Sequence, residues 1–359
     1  MKIVTIVGAR PQFIKAAALS RELRKEHDEI LVHTGQHYDL NMSDVFFEEM
    51  EIPRPKYNLG ISGGSHAQMT ANMIKEIEKI LIKEKPDAVL VYGDTNSTLA
   101  GALTAVKLMI PIIHIEAGNR LGTLTNPEEV NRIITDHLSS LLICSTEKSK
   151  QNLDSEGLNH RSFVAGNIMY DSFLHFARKE WVPHTLLGIN GEQIEIPKNY
   201  YYLTCHRQEN SGETALKEIF DAMESLEYPT IYPVHPRNKT SVLKLKAQFN
   251  YKNLLLLEPV RYSDSVHLVK NAKKVVTDSG GLQCEAFYSK TQCVFILDYV
   301  VWPETLVGNR NQLAKPLKND ILEKLNKEQV IDETYQPFGD GNSAVKICEI
   351  IRNFDFKLK

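Results

Sequence analysis

Short, nearly continuous apolar runs alternate with longer amphipathic stretches along most of the chain. The first runs are KIVTIVG, EILVHTG, AVLVYGD, IPIIHIEAG, LLICST and SFVAG, and between them stretches such as SHAQMTANMIKEIEKILIKEK repeat their apolar positions at helical spacing. Strands that alternate with helices in this way run parallel, so the pattern predicts a doubly wound α/β sheet. The alternation resumes with NYYYLTCHR, TIYPVHP, NLLLLEPV, KVVTDSG and QCVFIL, which predicts a second Rossmann-like sheet. Between the two series, in LHFARKEWVPHTLLGINGEQIEIPKNYY, the periodicity fails and Pro, Gly and Asn gather, so a hinge is expected there.

Open parallel sheets bind ligands outside the carboxyl ends of their strands. The informative residues are therefore those just after each apolar run: GARPQFIK, TGQHYD, YGDTNS, HIEAGNR, TCHRQEN, PVHPR and TDSGGLQCEA. Nearly all carry charge, where a chain selected for stability alone would close its strands with neutral turns.

Composition narrows what that charge serves. With 359 residues, 42% of them hydrophobic and 24% charged, the chain has material for two cores. A net charge of -3 gives no cationic field for nucleic acid or a membrane surface, so any anion is held locally. The first apolar run is too short to span a membrane or serve as a signal core and is expected to be a core strand of a cytoplasmic protein. The five cysteines are scattered, with no C-x-x-C spacing, which fits a reducing compartment without a zinc ribbon. His33 and His37 have an H-x-x-x-H spacing, but on a strand pattern, so no metal is expected.

In DSGGLQCEA, two glycines at a strand-to-helix junction would let the backbone N–H groups of Ser279, Gly280 and Gly281 approach a diphosphate; a simple Asp/Ser N-cap is the other reading. No G-x-G-x-x-G occurs, so bound NAD is not expected. Arg10 and Lys15 sit at the first strand–helix junction, Arg10 the better placed for a nucleotide, and either could instead form a helix-surface ion pair. His206 and Arg207 follow the first strand of the second series and could contact phosphate or move a proton. Asp94, Glu116, Glu128, Glu129, Arg120 and Arg132 are expected to converge on the first crevice, although Asp94 could merely cap a helix and Glu128 could merely pair with Arg132. Clustered carboxylates there are candidate acid and base groups, because repulsion and burial lift their pKa values toward neutrality.

Taken in order from residue 1 to about 310, GARPQFIK, YGDTNSTLAGALTA, HIEAGNR with PEEVNR, TCHRQEN and TDSGGLQCEA resemble the non-hydrolysing UDP-N-acetylglucosamine 2-epimerase family. The resemblance implies a GT-B-like fold: an N-terminal domain over 1–172 carrying the sugar-facing carboxylates, a UDP-binding domain over 173–340, and a final helix over 341–359 crossing back. It implies a homodimer that takes a UDP-sugar, without metal or NAD, for surface polysaccharide precursors. Acid/base roles fall by resemblance on Asp94, Glu116 and Glu128, with His206 in the catalytic set. Nucleotide and phosphate contacts fall on Arg10, Lys15, Arg132, His206, Ser279, Gly280, Gly281 and Glu285, the last on the ribose.

The chain departs from the family pattern in three places. AGNR stands where Ala-Gly-Leu-Arg is common, placing Asn119 near the site, and GARPQF replaces Gly-Thr-Arg-Pro-Glu-Ala, placing Gln12 where Glu is frequent. Leu297, Val300 and Val301 stand where polar residues are expected. A modified substrate such as UDP-2,3-diacetamido-glucuronic acid is therefore an alternative. A GT-B glycosyltransferase and a UDP-sugar-binding protein without activity are rivals of other classes.

Overall fold

The computed structural model describes residues 1–36, 47–181 and 186–356. All eleven predicted runs form strands, and every strand pair in both sheets is parallel. The first sheet contains β1 (Lys2–Val7), β2 (Asp28–His33), β3 (Tyr57–Asn58), β4 (Ala88–Tyr92), β5 (Ile112–Ala117), β6 (Leu141–Cys144) and β7 (Ser162–Val164), in the order β3-β2-β1-β4-β5-β6-β7. The second contains β8 (Tyr201–Thr204), β9 (Thr230–Pro233), β10 (Leu254–Leu257), β11 (Val275–Thr277), β12 (Cys293–Phe295) and β13 (Asn311–Leu313), in the order β10-β9-β8-β11-β12-β13. Strand order reverses at β1/β4 in one sheet and at β8/β11 in the other, and such switch points are where crevices open in this class of fold.

The chain divides into two compact units, Met1–Leu174 with Gln336–Lys359, and His175–Tyr335. The helix Ser343–Asn353 packs on the helix Arg10–Leu23, and its Ala344 N–H donates to Asp171 at 2.8 Å, so the chain's end belongs to the first unit. In that unit Val4, Ile6, Val89 and Val91 of the central strands pack against Met73, Ile77 and Ile80 of the helix His66–Glu84 and Ala100, Ala102 and Ala105 of the helix Asn96–Lys107. Leu203, Val276 and Val294 form the second core with Leu216, Ile219 and Phe220 of the helix Glu213–Glu224. The sequence pattern missed β3 and β13, which have two and three residues and no apolar run. Asn311 and Gln312 are nonetheless buried in β13, and their amide N–H groups donate to the carbonyls of Gln283 and Lys324.

The helix His66–Glu84 is tied to the sheet by one carboxylate. Glu84 lies 2.8 Å from Lys2 Nζ, 2.7 Å from Lys56 Nζ and 2.5 Å from the Tyr57 hydroxyl, and these donors hold its pKa down at about 2. A depressed carboxylate contributes stability above its unfolded value of about 4.3 and loses it as pH falls toward the folded value. Glu84→Gln should therefore lower the unfolding free energy by about 1 kcal/mol at neutral pH. Urea titrations of the two proteins should converge as pH falls from about 4 to 2.

Candidate active site

The turn between β1 and the helix Arg10–Leu23 is built around Gly8, where a Cβ would sit 2.1 Å from Thr34 Oγ1 and 2.2 Å from Ser97 Oγ. The Gly8 and Ala9 N–H groups donate to Gln12 Oε1 at 2.8 and 3.0 Å, so these two donors at the helix start are already satisfied. Arg10 is exposed in the first turn. Lys15, the less favoured cation on sequence grounds, is buried and reaches back to the strand ends, its Nζ 2.7 Å from Glu116 Oε2.

Glu116 occupies a strained place. It lies in buried β5 where the register to β6 shifts between Ile115 and Ala117, and its φ is +70°, a left-handed conformation costly for a side chain with a Cβ. Such a conformation persists only where its surroundings over-determine it, and sites of function are where it concentrates. Gly93 packs beside the pair, a Cβ there lying 3.3 Å from Lys15 Nζ and 3.8 Å from Glu116 Oε1.

Asp94 does not cap the following helix. Thr95 does, its hydroxyl accepting from Thr98 N–H at 3.2 Å, and this frees the Asp94 carboxylate to bind Arg132. The partner that Arg132 takes on its own helix, Pro127–Leu138, is Glu129 rather than Glu128. Glu129 is buried and also accepts from the Leu121 and Gly122 N–H groups at 2.7 and 3.0 Å. Burial pulls the Arg132 pKa down, but Asp94 and Glu129 together, aided by Glu116, raise it above its ordinary value. Glu128 stands exposed in the first turn of that helix and joins none of these ion pairs.

Two expectations need correction. Arg120 does not join this cluster: its guanidinium binds Asp136 and Glu156, each at 2.7 Å. Asn119 turns its Oδ1 to the Ser149 hydroxyl at 2.7 Å, so that oxygen serves the helix Glu147–Ser155. The switch point of the first sheet thus unites Lys15, Glu116, Asp94, Arg132 and Glu129. The sequence offered no sign of the strain at Glu116, and helical spacing alone could not choose between neighbouring glutamates.

In the second unit, fully buried Asp278 organises the switch point. It accepts from His206 N–H at 2.9 Å and Arg207 N–H at 2.8 Å, and His206 Nδ1 lies 3.3 Å away. The half-buried His206 ring stacks on His235 with centroids 5.4 Å apart, and Arg237 donates to the His206 carbonyl at 2.7 Å. Those two residues lie in the quoted PVHPR run but were not chosen as candidates.

Ser279, not Asp278, caps the helix Gly280–Tyr288. Its own N–H donates to Thr277 Oγ1 at 2.9 Å, which corrects the expectation that three N–H groups face an anion: Gly280 and Gly281 supply that end. A Cβ at Gly280 would meet nothing within 4 Å, so packing does not require glycine there and the backbone is open to an incoming group. Glu285 is buried on the same helix. Of the replaced polar positions, Leu297 is buried and Val300 and Val301 are partly so, while Tyr299 between them takes up polar contact with Arg207 at 3.0 Å. Among the described residues no cluster of His, Cys, Asp and Glu could hold a metal, and His37 lies outside them. No helix among them is long and apolar enough to cross a membrane.

Solved structures with this architecture include a UDP-GlcNAc 2-epimerase from Methanocaldococcus jannaschii in complex with UDP-GlcNAc and UDP, which superposes with a TM-score of 0.86 at 37% identity over 99% of this chain and 100% of that one. A UDP-N-acetylglucosamine 2-epimerase homolog of Methanococcus maripaludis is 48% identical over 98% of this chain and 100% of its own length. A UDP-2,3-diacetamido-2,3-dideoxy-D-glucuronate 2-epimerase of Pseudomonas aeruginosa is 40% identical over 98% and 99%. The family profile described as UDP-N-acetylglucosamine 2-epimerase matches residues 21–352. With its fold, its ordered motifs and this match in agreement, the chain belongs to the UDP-N-acetylglucosamine 2-epimerase family.

Proposed function

We propose that the protein interconverts UDP-N-acetylglucosamine and UDP-N-acetylmannosamine, inverting C2 through elimination and re-addition of UDP. The observation that carries this reading is the pairing of two carboxylates with cations at one switch point: Glu116, strained at φ +70°, on Lys15, and Asp94 on Arg132. Family membership identifies the substrate class.

The chemistry follows from the sugar. C2–H of a 2-acetamido sugar is not adjacent to a carbonyl, so a carboxylate alone removes that proton too slowly. Breaking C1–O first, with the electron pair leaving on UDP, develops cationic character at C1 and makes C2–H acidic. A carboxylate then takes the proton and C1=C2 forms, giving a glycal beside UDP. A second acid delivers a proton to the opposite face of C2, the UDP β-phosphate oxygen re-attacks C1, and atoms and electrons balance with no outside oxidant. Asp94, Glu116 and Glu128 divide the two proton transfers. The second unit binds UDP: Gly280 and Gly281 offer N–H groups to the diphosphate, with Ser279 and His206 beside it, and Glu285 takes the ribose hydroxyls; on the first unit, Arg10 is a nucleotide contact that the family resemblance implies. Lys15 and Arg132, already paired with carboxylates, add positive charge for the departing diphosphate.

The working form is a homodimer, as the family resemblance implies. Cytoplasmic residence fits five buried cysteines that form no disulfide. Incubation with UDP-N-acetylglucosamine and no added cofactor, followed by proton NMR of the anomeric region, should show UDP-N-acetylmannosamine growing to a fixed ratio. Turnover of only a 2,3-diacetamido uronic-acid UDP-sugar would overturn the substrate and keep the mechanism.

A further inference from the structure

Three consecutive main-chain carbonyls at the exit of β4 are each held by a side chain from a different element. Gln12 Nε2 donates to the Tyr92 carbonyl at 2.9 Å, His114 Nε2 to the Gly93 carbonyl at 2.7 Å, and Asn131 Nδ2 to the Asp94 carbonyl at 3.0 Å. Gln12, His114 and Asn131 are all buried. They come from the helix Arg10–Leu23, from β5 and from the helix Pro127–Leu138. The turn they grip contains Gly93 at φ +62° and ends in Asp94.

Two of the donors are themselves oriented. Gln12 Oε1 faces the Gly8 and Ala9 N–H groups, which leaves its NH₂ for Tyr92. His114 Nδ1 lies 2.7 Å from Asp136 Oδ1, while Asp136 Oδ2 accepts from Gly118 N–H at 3.1 Å and from Arg120 at 2.7 Å. Burial pushes the Asp136 carboxyl up, but His114 and Arg120 reverse this and bring it below its ordinary value. Because a carbonyl only accepts, His114 Nε2 carries the proton that it donates to Gly93, and Asp136 holds the ring by its other nitrogen.

We propose that Gln12, His114 and Asn131 are positioning residues that clamp the Tyr92–Asp94 turn and so set the Asp94 carboxylate in the register that proton transfer requires. The proposal rests on the reading of Asp94 as an acid/base group. A displacement of about 1 Å in reacting geometry costs on the order of 10²-fold in rate, so the clamp is expected to act on turnover rather than on nucleotide binding.

The test uses the full-length protein and the variants His114→Gln, Asn131→Ala and Asp94→Asn, with steady-state epimerisation, UDP calorimetry and ¹⁵N-histidine NMR. The expected result is a kcat lower by about 10²-fold in His114→Gln and Asn131→Ala, with KM and UDP affinity within about twofold of the wild type. In the wild type, a histidine with a hydrogen-bonded proton on Nε2 should be seen, and His114→Gln should remove that signal. If His114→Gln fails to fold, Asn131→Ala and the wild-type histidine spectrum carry the test. Wild-type kcat in folded Asn131→Ala, or a His114 ring without a proton on Nε2, overturns the clamp. Wild-type turnover by Asp94→Asn overturns the acid/base reading instead, and leaves the histidine spectrum to decide the protonation of His114.

Discussion

Glu116→Gln should lower epimerisation by about 10³-fold, the order expected when a general acid or base is lost, while UDP binding is kept or tightened. Glutamine has the size of glutamate and can hold the same left-handed backbone at the β5 bulge, but its amide cannot accept and return a proton. Lys15, deprived of its carboxylate 2.7 Å away, is left as a buried, uncompensated ammonium. The unpaired cation should also make the free protein less stable, by about 3 kcal/mol if the pair behaves like other buried ion pairs. The checks are steady-state kinetics with UDP-N-acetylglucosamine and UDP titration by calorimetry. Turnover within tenfold of the wild type would remove Glu116 from the proton transfer.

Gly280→Asp should separate folding from nucleotide binding. A Cβ at this position meets nothing within 4 Å, so the fold has room for the first atom of a side chain there. A carboxylate in the first turn of the helix Gly280–Tyr288 also faces the positive end of the helix dipole, which stabilises it by about 0.3–1 kcal/mol. The same carboxylate would occupy and repel the place given to the diphosphate. UDP affinity is expected to fall by at least 100-fold while the thermal midpoint holds or rises. If UDP binds as before, the junction is only a helix cap and the diphosphate sits elsewhere.

The strand exits were legible because a buried parallel strand has to be apolar along its length and charge marks where it stops. That logic located β1, β4, β5, β8 and β11 and the polar groups beyond them. It missed β13, whose buried Asn311 and Gln312 donate to distant carbonyls and leave no apolar run to mark the strand. Side-chain pairing was less legible than position. Spacing left Asp94 as a possible cap and Glu128 as a possible partner of Arg132, whereas Thr95 caps the helix and Glu129 makes the bond. Arg120 stands four residues from Glu116 yet turns to Asp136 and Glu156, because Gly118 at φ +84° redirects the chain between them. The clamp on the Tyr92–Asp94 turn was hidden for a further reason: its acceptors are main-chain carbonyls, which leave no mark on the identity of the residues that carry them.

The central claim is that a carboxylate removes the C2 proton and a proton then returns to the other face. It is tested most directly by running the reaction in deuterated water and reading C2 by NMR. The account predicts that the UDP-N-acetylmannosamine formed carries deuterium at C2, and that recovered UDP-N-acetylglucosamine acquires it as the reaction reverses. UDP-N-acetylmannosamine that retains protium at C2 would contradict it.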